Sequence, residues 1–211
     1  MPLAFASTDS ARSVFERTDF GVPVLIASEA EDLEPGEHLD EPGMGAVVSH
    51  LVPLGHKRLL HIAGPATWSA ARNRQRVFAA AVARHGLHPA GILHGDWSAR
   101  SGHDAVVSLS ADSLPTAIVA ANDQMALGAI HALVARGLKV PDDISVTGVD
   151  DTPEAPYFTP SLTTIRLDFR PQGRDAVASL LAQLEQTDGT RPTRPEPQLI
   201  VRESTAVPSR A

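Results

Sequence analysis

The 211-residue chain contains no cysteine. That excludes a disulfide framework, a thiol nucleophile and any zinc site built on thiolates, and it fits a reducing compartment. An excess of positive charge is also missing, since 18 Lys and Arg stand against 25 Asp and Glu for a formal charge of −7. A surface that holds nucleic acid by neutralising phosphates needs the opposite sign, so these residues are not expected to grip DNA. No stretch approaches the ~20 apolar residues that span a bilayer. Met1 to Asp19 lacks the basic start, apolar run and small-residue cleavage site of a secretory signal. A cytoplasmic chain with no membrane contact is expected. Catalytic signatures are absent too: there is no G-x-S-x-G elbow, no G-x-x-x-x-G-K-[ST] loop and no H-E-x-x-H pair. Asp150 and Asp151 are adjacent, so they do not define two carboxylates facing each other across a scissile bond. His85 and His88 are close, but Gly86 lies between them at a helix end. No enzyme, cofactor or metal site is expected.

What the chain does have is a 43% hydrophobic content, enough for a real core. From Arg58 to Val149 short apolar runs alternate with helical patterns. The runs are Leu59 to Ala63, Gly91 to His94, Thr116 to Ala121 and Ile144 to Val149, and most are too continuously apolar to have a wet face. Between them lie Ser69 to His85, closed by Gly86; Ser98 to Ala111; and Asn122 to Arg136, closed by Gly137 with Pro141 soon after. Each opens on Ser or Asn, whose side chain can accept from a free amide of the first turn. Repeated strand and helix imply right-handed crossovers and a doubly wound α/β sheet. Before this lobe come a strand, Pro23 to Ala27, and a helix, Gly43 to Leu54, closed by Gly55. After it come a proline-rich turn, a strand from Leu162 to Leu167, a helix from Pro171 to Gln186 and a last strand, Gln198 to Arg202. The economical arrangement is a second, smaller lobe assembled from both flanks. Residues 1–58 then form part of it, 59–160 form the large lobe, and 161–211 cross over and return to complete the first.

In an open parallel sheet the residues just after each strand share one edge, where ligands bind. Those segments are Gly64-Pro65, Gly95-Asp96-Trp97, Asn122-Asp123 and Asp150-Asp151, with Arg72 and Arg74 at the start of the first helix. Carboxylate, amide and guanidinium can form forked hydrogen bonds to neighbouring hydroxyls, while an aromatic face covers the apolar side of a sugar ring. Taken singly, Asn122 reads equally as a helix cap, Asp150 and Asp151 as turn formers and Trp97 as a core aromatic. Their coincidence on one edge favours a polyol site. Arg72 and Arg76 lie on one helical face as solvated residues, leaving Arg74 on another.

The order of motifs from about His50 onward is distinctive. It runs through His50-Leu51, Leu54-Gly55-His56-Lys57-Arg58, Ile62-Ala63-Gly64-Pro65, Pro115-Thr116-Ala117-Ile118 and Ala121-Asn122-Asp123-Gln124-Met125-Ala126-Leu127-Gly128. It continues in Val140-Pro141-Asp142-Asp143-Ile144-Ser145-Val146, Gly148-Val149-Asp150-Asp151, Pro160-Ser161-Leu162-Thr163-Thr164-Ile165 and Val201-Arg202-Glu203-Ser204-Thr205. These segments resemble the effector-binding core of the lactose-repressor (LacI/GalR) family of bacterial transcription regulators, and Gly95 to Ala99 and Asp168-Phe169-Arg170 resemble its lactose-responsive branch. The resemblance implies a periplasmic-binding-protein-like type I fold of two doubly wound parallel-sheet lobes, the first incomplete here. It implies that Arg74, Asn122 and Asp150 hydrogen-bond sugar hydroxyls, that Trp97 packs on the ring and that Phe169 borders the pocket. It further implies a small-molecule sugar effector, a galactoside on the strength of Trp97 and Phe169, and a homodimer with Leu127 and Phe158 near its interface.

Departures qualify the expectation. An acidic residue of the lactose-responsive branch is replaced by Pro42, with Glu41 and Asp40 as substitutes, and Val77 stands before Phe78 where a small residue is usual. The helix-turn-helix, the hinge and the opening strands and helices of the first lobe have no counterpart in residues 1 to 40, so operator DNA would be reached only through a part this chain lacks. The chain also ends shortly after Arg202 without the apolar heptads that join dimers into tetramers. The leading expectation is the sensing part of a sugar-responsive repressor. The alternative is a stand-alone sugar receptor of a transport system with the same fold.

Overall fold

A computed structural model describes residues 3–5, 8–21, 25–27, 43–185 and 196–209. Its main body is a six-stranded sheet built from β3 (Leu59–Ala63), β4 (Gly91–His94), β5 (Ala117–Ala120), β6 (Ser145–Asp150), β7 (Thr163–Arg166) and β8 (Gln198–Ile200) in the order β4-β3-β5-β6-β7-β8. The first five strands in that order run parallel, and β8 pairs antiparallel with β7. Every residue of β3 and β5 is buried, which explains why both are apolar apart from His61: helices cover both faces. Alternate side chains feed two cores. Leu60, Ile62, Ile118, Ala120 and Val146 face α4 (Ala99–Val107) and α5 (Asp123–Ala135). Leu59, Ala117, Val119, Val149 and Ile165 face α2 (Met44–Leu51) and α3 (Ser69–Arg84).

The helix boundaries follow local chemistry. Ser98 Oγ accepts from Ser101 N at 3.2 Å and Asn122 Oδ1 from Met125 N at 2.9 Å, so both cap as expected. Ser69 does not, because it is the first helical residue and Trp68 holds the cap position without a side-chain hydrogen bond. The helix read as Ser98 to Ala111 ends at Val107 and gives way to a short turn of 3-10 helix at Ala111–Ser113. Gly86 and Gly137 close α3 and α5 with φ of 70° and 76°, the left-handed conformation that terminates helices.

The small lobe holds more structure than one strand. β1 (Leu3–Phe5) and β2 (Leu25–Ala27) pair in parallel, Leu3 opposite Leu25, with α1 (Asp9–Arg17) between them. The opening residues, expected to lack counterparts of the family's first-lobe elements, therefore supply a strand–helix–strand unit. Thr8 caps α1 by accepting from Ala11 N at 3.2 Å. The α6 helix (Phe169–Glu185) contacts β2. Other flanking elements depart from the expected division at 58 and 160. The apolar face of α2, Val47, Val48 and Leu51, shares a core with Val77 and Phe78 of α3, while β7 and β8 extend the large sheet. Past β8 the chain stays on this lobe: buried Ser204 donates from Oγ to Val146 O at 2.6 Å and accepts there from Thr163 N at 2.8 Å.

α4 and α5 pack with almost no space between their backbones. A Cβ on Gly128 would lie 1.7 Å from Ala99 O, and one on Gly102 would lie 2.0 Å from Met125 O. Alanine would gain ~1 kcal/mol of helix propensity there, but a backbone clash of this size costs more, so Gly128→Ala should lower stability by about 1–3 kcal/mol net. Gly173→Ala on α6, where an added Cβ meets nothing within 4 Å, should be neutral or stabilising. Urea denaturation of the two variants checks the contrast.

Candidate functional site

The strand order reverses direction at β3, since β4 lies on one side and β5 on the other. Ligand crevices in open parallel sheets form at that switch point, outside the carboxyl ends of the strands. Arg74, in the second turn of α3, reaches across this edge. Its Nη1 donates to the carbonyl of Ala121 just after β5, and its Nη2 lies 3.6 Å from Asp150 Oδ1 at the end of β6. The guanidinium also stands over the Trp97 ring, 5.6 Å from its centroid. Asn122 is a helix cap, and more: Oδ1 caps α5 while Nδ2 donates to Trp97 O at 2.9 Å. Four predicted residues, Arg74, Trp97, Asn122 and Asp150, are thus brought together by direct contacts. Phe169 begins α6, and its side chain lies outside the described residues, as do Asp40, Glu41 and Pro42.

Backbone conformation marks the same edge. Among the described residues the positive φ angles of non-glycine residues are 74° at Trp97, 114° at Asp150 and 51° at Asp151. Such conformations are costly and persist where surrounding structure enforces them, commonly at ligand sites. Trp97 also explains Gly64: a Cβ there would meet the indole at 2.3 Å.

The adjacent aspartates divide their work. Asp150 faces Arg74, whereas Asp151 is held by Arg166 Nε at 2.7 Å and Arg202 Nη2 at 2.6 Å. Burial opposes ionisation of Asp151, but hydrogen bonds from Arg202 and Arg166 and their charges outweigh it and set its pKa below the usual carboxylate range. Asp123 is structural as well. Burial raises its pKa against the hydrogen bonds it accepts from Thr164 Oγ1 at 2.5 Å and Thr152 N at 2.8 Å. Arg72 is not simply a solvated residue: its guanidinium grips Asp9 of α1 through both carboxylate oxygens at 3.0 and 3.1 Å. Arg76 donates to Asn73 Oδ1 on its own helix.

Two residues escaped the sequence reading. Trp68 packs edge-on against Trp97 with ring centroids 5.7 Å apart and forms an isolated antiparallel bridge with Thr8. Its position on the same edge, one residue before the helix, was the available signal. His61 sits inside β3, stacked on Phe78 at 4.8 Å, with Nδ1–H donating to Val119 O at 2.7 Å and no partner on Nε2 among the described residues. A histidine within a run of Leu, Ile and Ala was its signal. Burial depresses its pKa to about 4, the Val119 bond opposes this, and the charges of Arg74 and His94 add to the depression.

The arrangement offers a fixed cation, a carboxylate, an amide and an aromatic face, which suits recognition of hydroxyl groups. His61 makes acid stability its readout. A folded pKa near 4 against 6.5 unfolded means that the unfolded chain binds more protons between those values, so stability present above pH 6.5 is lost as pH falls toward 4. The loss reaches roughly 3 kcal/mol. His50 and His56, also lowered by burial, act in the same direction. Urea titrations across this window should show the slope, and His61→Leu should flatten it substantially.

A family model described as a periplasmic binding protein-like domain matches residues 48–205. The lactose operon repressor of Escherichia coli (strain K12) is 40% identical over 171 residues, covering 80% of this chain and 47% of the repressor. The repressor PurR of Haemophilus influenzae (strain PittEE) is 37% identical over 142 residues, covering 66% of this chain and 42% of PurR. The chain thus spans about half the length of the curated relatives it matches. Among solved structures, a dimeric Lac repressor with an 11-residue C-terminal deletion superimposes with a TM-score of 0.83 at 35% identity, over 95% of this chain and 75% of that one. The chain belongs to the family of periplasmic-binding-protein-like domains, in the form carried by LacI-type repressors.

Proposed function

We propose that this chain is the effector-binding and dimerisation part of a cytoplasmic, sugar-responsive transcriptional repressor, and that its effector is a galactoside bound between the lobes. The observation that carries the reading is the convergence of Arg74, Trp97 and Asp150 at the switch point of the sheet. Arg74 and Asp150 supply opposed donors and acceptors for neighbouring hydroxyls. Asn122 fixes the Trp97 backbone, and the indole offers a face for the apolar side of the ring. The resemblance to LacI-type repressors adds Phe169, the first residue of α6, as a residue that would border the sugar. Catalysis has no place in this scheme, because the residues gathered are hydrogen-bonding groups without a nucleophile and base. The effector would change operator affinity by binding two lobe arrangements unequally. Operator contact itself belongs to a helix-turn-helix outside these 211 residues. Self-association uses the surface around Leu127, 38% exposed on α5, and Phe158.

Titration calorimetry with a panel of galactosides and glucosides tests the reading. A galactoside should bind saturably and raise the melting temperature, as a ligand of the folded state must. Asp150→Ala should weaken binding by about 1.5–3 kcal/mol, the worth of a hydrogen bond to a charged group. Heat signals absent across the panel, or an affinity unchanged in the variant, would remove this site. Light scattering should give a dimer, and Leu127→Glu should shift it to monomer.

A further inference from the structure

We propose that His103 on α4 and His131 on α5 form a bis-imidazole site for a borderline divalent cation of the zinc, nickel and copper class. The residues are 28 positions apart in sequence and meet because the two helices cross so closely. A Cβ at Gly128 would touch His103 N at 2.8 Å as well as the Ala99 carbonyl, and His131 follows Gly128 by one turn of α5. The imidazoles therefore project side by side from one rigid crossing, with ring centroids 5.6 Å apart and planes inclined by 42°.

That separation matches chelation. Two imidazole nitrogens bound to one tetrahedral zinc at about 2.1 Å place their ring centroids about 5.3 Å apart. Small side-chain rotations cover the difference. The nitrogen available on His103 is also defined. Its Nδ1 lies 3.0 Å from Asp104 Oδ1, so Nδ1–H donates to the carboxylate and the Nε2 lone pair points away from it. A carboxylate behind a ligating imidazole is the usual outer partner of a protein metal site, fixing the tautomer and raising basicity. Imidazole is a preferred ligand for this class of ion. In the single chain the His103 side chain is 37% exposed and His131 is exposed, beside the proposed subunit contact at Leu127. Arg100, the neighbouring cation, is 3.7 Å from Asp104 and 90% exposed, so water screens its charge. Two protein ligands leave the remaining positions to water. The site is independent of the sugar crevice and uses none of its residues.

The test is calorimetric titration of the full chain with zinc chloride at pH 7.5, counted per chain because Leu127, one turn before His131, belongs to the proposed subunit contact. One saturable zinc per chain is expected. His103→Gln and His131→Gln should each abolish it, Asp104→Asn should weaken it about tenfold, and the His85→Gln/His88→Gln double variant should bind as the parent does. Nitrogen-15 spectra of the unaltered protein supply a readout that does not depend on variants folding: the His103 and His131 imidazole signals should move together as zinc is added. The proposal is overturned by the absence of saturable binding, by binding that survives the His103→Gln/His131→Gln double substitution, or by imidazole shifts confined to other histidines.

Discussion

The desolvated charge of Arg74 is the constraint on which the carboxyl edge of the sheet depends. With its side chain 14% exposed, the guanidinium has left most of its water and must be repaid by fixed partners. The Ala121 carbonyl, the Asp150 carboxylate and the face of Trp97 supply that compensation from three different strand ends. Each partner is in turn fixed by something else. Asn122 ties the Trp97 backbone to the start of α5, and Gly64 admits the indole against β3. The left-handed backbone at Trp97 and Asp150 is the strained conformation that this network holds in place.

The parallel sheet makes such a network possible. Because β3 and β5 are covered on both faces, polar side chains have little room along their length, His61 being the exception, and the carboxyl edge collects them. A second tier of interactions keeps the edge rigid without facing the crevice. Asp151 with Arg166 and Arg202 fastens β6 to β7 and the C-terminal segment, and Asp123 fastens α5 to Thr164 and the turn at Thr152. At the rim, the fork between Asp9 and Arg72 and the bridge from Thr8 to Trp68 bring the small lobe against the start of α3. The proposed ligand at Arg74 and Trp97 would sit next to these contacts, where a change in lobe arrangement would be felt.

Legibility in the sequence followed burial and range. β3, β5 and β6 could be read because double-sided burial leaves no regular polar face along them, and β5 is apolar throughout. The caps at Ser98 and Asn122 could be read because they act within three residues. β1 could not: it spans three residues, Leu3–Phe5, too short for any period to show. Trp68 at the start of α3 was hidden because its role there depends on Trp97 and Thr8, 29 and 60 positions away. The same limit hid the division of labour between Asp150 and Asp151, which the chain decides through Arg74, Arg166 and Arg202. Trp97, Asn122 and Asp150 were legible as candidates because parallel topology sends every post-strand residue to one edge, and Arg74 because it lies near the start of the helix that leaves that edge. Their mutual contacts were not legible.

The central claim is that Trp97 and Arg74 form the floor of a sugar site. The chain has two tryptophans, so Trp68→Phe leaves Trp97 as its sole indole fluorophore. Titrating that variant with a galactoside should give a saturable change in emission that disappears when Arg74→Met is added. An emission spectrum that stays constant while calorimetry records binding would place the sugar elsewhere and contradict the account.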